Sequence, residues 1–380
     1  MEKEPLLDGQ TRQLACLGKQ ATLTGFLARF GLKSPLDVVW SHATNSQSLL
    51  KIALEGGRVH MIEVDILMGR YALDASDLGL DTPSVVSHQI NVVSHLTLPN
   101  VDEPILAHPP ELRSDLTFAH FAQIIREHNA KGGNLVGIKL DFKDPAAVIP
   151  VLNVLSAVGV GKDIPIWVNA DIWQGPGGGI PKFKPVEFLE ACRKYCPLAS
   201  LSVGWTTGPG GLHGIPGTFV GVGGYHPKHI NAALRDLRAA GILPEEGVRP
   251  GRPAIPVTRE TRETRDTHET HEIGGSINDT VLITFPVSVI YTRLSLRRND
   301  TFDRLINASE GCTLTLWGED TVSGFRNAES GAMGKYTGKI FVDTKPPKFA
   351  GILLEHIVVL NGLVFAALLI VPIVLLVTHM

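Results

Sequence analysis

Residues 60–67 read His-Met-Ile-Glu-Val-Asp-Ile-Leu, and residues 135–143 read Leu-Val-Gly-Ile-Lys-Leu-Asp-Phe-Lys. Both are short aliphatic runs in which an ionisable residue returns at every second place. In an extended chain successive side chains point to opposite faces, so Glu63 and Asp65 share one face, and Lys139, Asp141 and Lys143 share another. The remaining face of each run is apolar. If the charged face turns into a barrel, an ionised carboxylate there costs several kcal/mol unless it is paired or bound to a metal.

Similar runs occur at 38–40, 104–107, 164–168, 199–203, 281–287 and 313–317, which makes eight expected strands. Amphipathic stretches with helical period lie between several of them, at 46–54, 117–128, 146–158, 186–195, 228–240 and 291–306. Alternating strands and helices, with near-continuous apolar strands, predict a parallel sheet covered by helices. Eight units between residues 36 and 345 fit a (β/α)8 TIM-type barrel with loop insertions, and a doubly wound open sheet is the second choice.

The chain has 380 residues, of which 44% are hydrophobic, so it can bury a full core. A formal net charge of −3 provides no basic footprint, and no long nucleic acid is expected as a partner. Four cysteines are too few for a disulfide framework, and Cys192 and Cys196 lack the further ligands of a zinc site, so reduced thiols are expected. Residues 1–35 hold no signal-like apolar run and read as a flexible N-terminal segment. Residues 258–272, TRETRETRDTHETHE, offer nothing to pack and mark a low-complexity insertion at 247–275, in which His268 and His271 are solvated. Residues 357–377 carry no charge over a length of roughly 31 Å as a helix, so a single-pass transmembrane helix is expected at 351–378. Lys345 and Lys348 precede it, which orients it as a C-terminal tail anchor with the domain in the cytosol; sequons at Asn278, Asn299 and Asn307 favour the lumen instead.

Barrel enzymes carry their reactive side chains at the C-terminal ends of the strands. Here those ends hold His42, Glu63 with Asp65, His108, the Lys139-Asp141-Lys143 set, Asn169 with Asp171, and Trp317 with Glu319. Two histidines, several carboxylates and a lysine can supply oxygen ligands to a hard divalent cation and an acid, a base and a positive charge to a phosphate. That combination points to phosphodiester cleavage. Trp205 and Trp317 are candidates for an apolar wall beside the substrate, or else for barrel packing.

The segments DVVWSHATNS (37–46), HMIEVDIL (60–67), PILAHPPELRSDLTF (104–118), GIKLDFK (137–143), IWVNADI (166–172), SVGWTTG (202–208), TFPVSV (284–289) and TLTLW (313–317) resemble the menorin family. That family is related to the glycerophosphodiester phosphodiesterase and phosphatidylinositol phospholipase C-like barrels, and the resemblance covers about residues 36–345. It implies His42 and His108 as an acid/base pair, Glu63, Asp65 and Asp141 as ligands of Mg²⁺ or Ca²⁺, and Lys143 as the phosphate-neutralising cation. The sequence departs from the phosphodiesterase pattern in three places. Ala43 and Thr44 follow His42 where Arg-Gly is usual, Pro109 follows His108 where Asp is usual, and Asp141 is shorter than the usual Glu. Asn45, Lys139 or Asn169 is left to stand in for the missing arginine. The expected activity is metal-dependent hydrolysis of a small phosphodiester. The alternatives are a binding or adhesion protein on a phosphodiesterase-like barrel and a metal-dependent aldolase or deacetylase barrel.

Overall fold

The computed structural model describes residues 22–72, 102–158, 164–208, 224–245, 282–295, 301–319, 334–336 and 338–345. The expected insertion at 247–275, the sequons at Asn278 and Asn299, and the apolar segment 351–378 lie outside these residues. No helix among the described residues is long and apolar enough to cross a membrane.

Among the described residues ten strands form one sheet: β1 (Trp40–Ser41), β2 (Met61–Tyr71), β3 (Glu103–Leu106), β4 (Arg113–Ser114), β5 (Gly137–Phe142), β6 (Ile166–Gln174), β7 (Ser200–Thr206), β8 (Ile283–Ser288), β9 (Cys312–Glu319) and β10 (Ile340–Lys345). Eight follow one another in the order β1-β2-β5-β6-β7-β8-β9-β10, and every neighbouring pair is parallel. The sheet is a nearly closed parallel barrel. Its helices are α1 (Leu23–Arg29), α2 (Gln47–Glu55), α3 (Phe118–Ala130), α4 (Val148–Val158), α5 (Pro185–Tyr195), α6 (Pro227–Ala239), α7 (Val289–Ser295) and α8 (Asp303–Ile306).

The expected count of eight barrel strands is met, but with one different member. The run at 104–107 is β3, which pairs antiparallel with the far half of β2 and stands off the barrel path. Pro104 and the short apolar stretch suit a hairpin edge as well as a barrel strand, and periodicity alone cannot separate the two. The eighth barrel strand is instead β10, which alternates Ile340 and Val342 with Phe341 and Asp343. Of the expected helix at 291–306, the described residues hold α7 up to Ser295 and α8 from Asp303.

Strand alternation divides the core. Residues such as Ile62, Val64, Leu140, Val168 and Val203 point outward and are buried beneath the helices. The opposite face fills the barrel. At its floor Met61, Trp167, Leu282 and Phe341 meet Phe26 and Leu27 of α1, so within the expected flexible segment 1–35 the described residues hold a helix that plugs the barrel. Thr22 caps that helix, its side chain accepting from Gly25 N at 3.0 Å. Phe341 stacks edge-on against Trp167 at 4.8 Å and against Phe26 at 5.6 Å. Above this aromatic floor the interior turns polar. Thr284 and Thr315 share a hydrogen bond of 2.7 Å, and Ser202 donates to Asn169 at 2.6 Å.

Candidate functional site

Strand register places the ionisable residues together. Glu63 lies beside Lys139, and Asp65 beside Asp141, which in turn pairs with Asn169. Because all these strands are parallel, one inward layer holds Glu63 and Lys139 and the next, toward the C-terminal mouth, holds Asp65, Asp141 and Asn169.

The deeper layer closes around His42. Its Nδ1 lies against Glu63 Oε2 and 3.3 Å from Asp343 Oδ2. Lys139 Nζ sits 2.7 Å from Glu63 Oε1 and 3.2 Å from Asp343 Oδ2, with Trp40 beneath it at 5.5 Å. Lys139, Glu63 and Asp343 are all buried. Burial opposes protonation of His42, but the Asp343 and Glu63 carboxylates outweigh it and raise its pKa to about 9. Burial likewise pushes the two carboxyls up, and the Lys139 ammonium overcomes this and holds both below their usual range. Lys139 itself is held above the ordinary lysine value, because Glu63 and Asp343 together outweigh its desolvation. The loop after β1 is fixed to the same group. Ala43 takes a left-handed φ of 51°, and Thr44 N donates to Glu63 O at 2.8 Å.

The outer layer is built on Lys143, whose Nζ is 2.6 Å from Asp141 Oδ2 and 3.1 Å from Asp65 Oδ1. Asn45 exchanges two hydrogen bonds with Asp65, donating to Oδ2 at 2.7 Å and accepting from its backbone N at 2.9 Å. Asn169 donates to Asp141 Oδ1 at 2.8 Å. Asp171, two residues further along β6, is raised to about 7 by burial first and by the neighbouring Asp141 second, against the pull of Lys143 and Lys139.

The expected metal ligands are therefore divided. Glu63 belongs to the His42 group, whereas Asp65 and Asp141 clasp Lys143. Of the three residues that could replace the missing arginine, Asn45 and Asn169 position carboxylates and Lys139 is sealed inside. Lys143 is partly exposed. His108 is placed by the β2–β3 pairing: Ala107 N donates to Asp65 O at 3.1 Å, and the exposed His108 ring follows with Nδ1 2.7 Å from Pro109 O. Trp317 alternates with Thr315 on the inward face, opposite Asp343, and is half-buried. Trp205 does not face the site. It is buried in the layer between sheet and helices, donates to His229 O at 3.3 Å and packs on Trp173, Tyr225 and Phe285.

Asp343 was missed by the sequence reading because its strand was not counted; the Ile340/Val342 alternation is the signal that could have found it. His42, Glu63 and Asp343 present one nitrogen and two carboxylate oxygens within 4.8 Å of one another, a group that could hold a metal ion. Glu63 Oε2 is sealed from solvent and makes no regular hydrogen bond. It lies against His42 Nδ1, so a cation at this oxygen would have to take the place of the His42 proton.

A family model described as the menorin N-terminal domain matches residues 35–101 and 88–239, which together span β1 to α6 and hold every site residue named above except Asp343 and Trp317. The chain belongs to the menorin family. It is 33% identical over 195 residues to Protein FAM151B of Homo sapiens, a match covering 51% of this chain and 53% of that protein, so the chain spans about half the length of the curated relative. No solved structure matches. The menorin match thus covers the strands that carry His42, Glu63, Asp65, Lys139, Asp141 and Lys143, while the carboxylate completing the His42 group comes from beyond it.

Proposed function

We propose that this menorin-family barrel is a metal-dependent phosphodiesterase acting on a small phosphodiester. The supporting observation is the charge balance of the two layers inside the barrel. Glu63, Asp65, Asp141 and Asp343 face Lys139, Lys143 and a protonated His42, which leaves one negative charge uncompensated even with Asp171 neutral. An anionic phosphate would be repelled by that surplus, so a phosphate-handling site built from these residues needs a further cation.

The resemblance implies Glu63, Asp65 and Asp141 as the residues that would hold Mg²⁺ or Ca²⁺, which would need Glu63 to turn from His42 and the two aspartates from Lys143. A bound cation of this kind supplies Lewis-acid charge to a phosphoryl oxygen. His42 is assigned to proton transfer rather than to the metal. Its Nδ1 is held by two carboxylates, so Nε2 is the nitrogen turned to a ligand, and at neutral pH it is charged and suited to protonate the leaving oxygen. His108, at the rim beside Asp65, accepts the proton from the attacking hydroxyl or water. Lys143 neutralises phosphate charge at the mouth.

One observation favours a second reading, a binding or adhesion protein on the same scaffold: both lysines of the site are already engaged by carboxylates. A panel of glycerophosphodiesters, cyclic nucleotides and lipid head-group diesters, assayed with Mg²⁺, Ca²⁺ and EDTA, separates the two. EDTA-sensitive turnover that is lost in His42→Ala supports the enzyme. A folded protein inert toward the whole panel supports the binding reading.

A further inference from the structure

The two halves of the barrel interior differ in charge. From β10 through β1 and β2 to β5, the inward side chains above the floor are Asp343, His42, Glu63 with Asp65, and Lys139 with Asp141. The inward positions of β7, β8 and, up to Trp317, β9 are uncharged; they include Ser202, Gly204, Thr284, Pro286, Thr315 and Trp317.

Strand β6 stands at the border. Asn169 belongs to the charged half, where it donates to Asp141 Oδ1 at 2.8 Å. Asp171, two residues nearer the mouth, is in register with Gly204 of the neutral half. The pairing of β6 with β7 shifts directly after Asp171, before Trp173, and a bulge of this kind re-aims the side chain beside it. Gly204 leaves the opposite place unfilled. A Cβ there would stand 3.1 Å from Asp171 Oδ1 and 3.0 Å from Pro286 Cγ, so the carboxyl lies over Gly204 toward the Pro286 ring.

Bonding also sets Asp171 apart. Glu63 and Asp343 are held by Lys139 and His42, and Asp65 and Asp141 by Lys143. Asp171 is partly buried, and among the described residues it takes part in no hydrogen bond or ion pair, although the charges of Lys143 and Lys139 act on it. Its oxygens are not among those sealed from solvent. A half-buried polar group without a partner in the fold keeps its hydrogen-bonding capacity for what enters the mouth.

We propose that the neutral half of the mouth is a subsite for an uncharged, hydroxyl-bearing substituent of the phosphodiester, with Asp171 as the hydrogen-bond partner of a hydroxyl close to the phosphate. The inference deepens the phosphodiesterase reading and rests on it for the place of the phosphate. Lys143 and Asp171 each stand two residues beyond the paired Asp141 and Asn169, so a phosphate at Lys143 brings its substituent against Asp171. An ammonium substituent fits this place less well, because Lys143 is already beside it. A bare alkyl group would desolvate the carboxyl and give it no partner.

The test is calorimetric binding of glycerol 3-phosphate, phosphoethanolamine and ethyl phosphate, with Mg²⁺ present, to the full chain and to its Asp171→Ala and Asp171→Asn variants. Turnover of the phosphodiester panel is measured on the same proteins. We expect the parent to bind glycerol 3-phosphate at least ~5-fold more tightly than either other ester, and Asp171→Ala to lose that preference. Asp171→Asn, which keeps a donor and an acceptor without the charge, should keep most of it. Neither variant should melt below the parent, since Asp171 holds no partner among the described residues. The proposal is overturned if the parent binds ethyl phosphate as tightly as glycerol 3-phosphate, if it binds neither, or if Asp171→Ala keeps the preference. It is equally overturned if phosphoethanolamine binds best and Asp171→Asn loses it, which would make the subsite one for a cation. The enzyme reading is judged separately: an Asp171-dependent preference in a protein inert toward the panel keeps the subsite and removes the enzyme, and turnover without that preference does the reverse.

Discussion

Lys139→Met removes the cation at the centre of the buried group while keeping an unbranched apolar side chain of similar length. In the parent, the ammonium lies 2.7 Å from Glu63 Oε1 and 3.2 Å from Asp343 Oδ2, and all three residues are buried. Without it two buried carboxylates share one imidazolium, and removing one partner of a buried ion pair costs about 3–5 kcal/mol. The loss should depend on pH in a definite sense. Parental Glu63 and Asp343 are held below their usual pKa range, so their contribution is present above the unfolded carboxylate values of about 4 and is lost as acid approaches the folded values. In the variant one carboxyl is pushed above its unfolded value, and that group stabilises the fold only while it stays protonated. The gap between parent and variant should therefore widen from about pH 4 to pH 7 and narrow again toward acid. Urea unfolding at a series of pH values measures it, and Glu63→Gln added to Lys139→Met should restore part of the loss at neutral pH. A deficit under about 1 kcal/mol, or one that stays constant across the range, would refute the ion-pair account.

His42→Ala and His108→Ala should each reduce turnover of any cleaved phosphodiester by at least ~10²-fold, with the melting midpoint unchanged within a few degrees in the exposed His108→Ala and lowered in His42→Ala, which strips the buried carboxylates of a partner; wild-type turnover in either would remove it from the mechanism. Because His42 protonates near pH 9, well above its unfolded 6.5, the stability it contributes is complete below pH 6.5 and falls as pH rises toward 9, and activity that needs its proton should fall over the same upper limb. Calorimetry with Mg²⁺ or Ca²⁺ should show binding retained in His42→Ala and abolished in Glu63→Gln/Asp65→Asn; loss in His42→Ala, with one proton released by the parent on binding, would assign the cation to the His42, Glu63 and Asp343 group instead. Trp205→Ala should cost about 3–5 kcal/mol of stability and leave KM unchanged at a temperature where the variant is folded, since its ring packs outside the barrel. A KM change without a stability loss would return Trp205 to the site.

The parallel barrel could be read from the chain because strand alternation is a local property. Ile62/Val64 against Glu63/Asp65, and Ile138/Leu140 against Lys139/Asp141, record a buried outward face and an ionisable inward face within a few residues, and the helical stretches between them have a period of their own. His42, Glu63, Asp65, Asp141 and Lys143 could be picked out for the same reason, each being an ionisable residue in or just beyond an otherwise apolar run. Whether a strand joins the barrel is not local. Residues 104–107 and 340–345 carry similar apolar content, and only pairing partners distant in sequence make the first an antiparallel hairpin and the second the eighth stave.

The composition of the site was thus written in single segments, but its wiring was not. That Lys139 neutralises Glu63 and Asp343 rather than meeting a ligand, that Asn45 and Asn169 orient carboxylates, that Trp205 faces helices, and that Asp343 reaches across some three hundred residues to His42 all depend on register and closure. Alternation along a strand determines which face a side chain takes. Which charge it meets there is decided when the first and last strands come together, because Coulomb interactions and desolvation act between neighbours in space, wherever they stand in the chain.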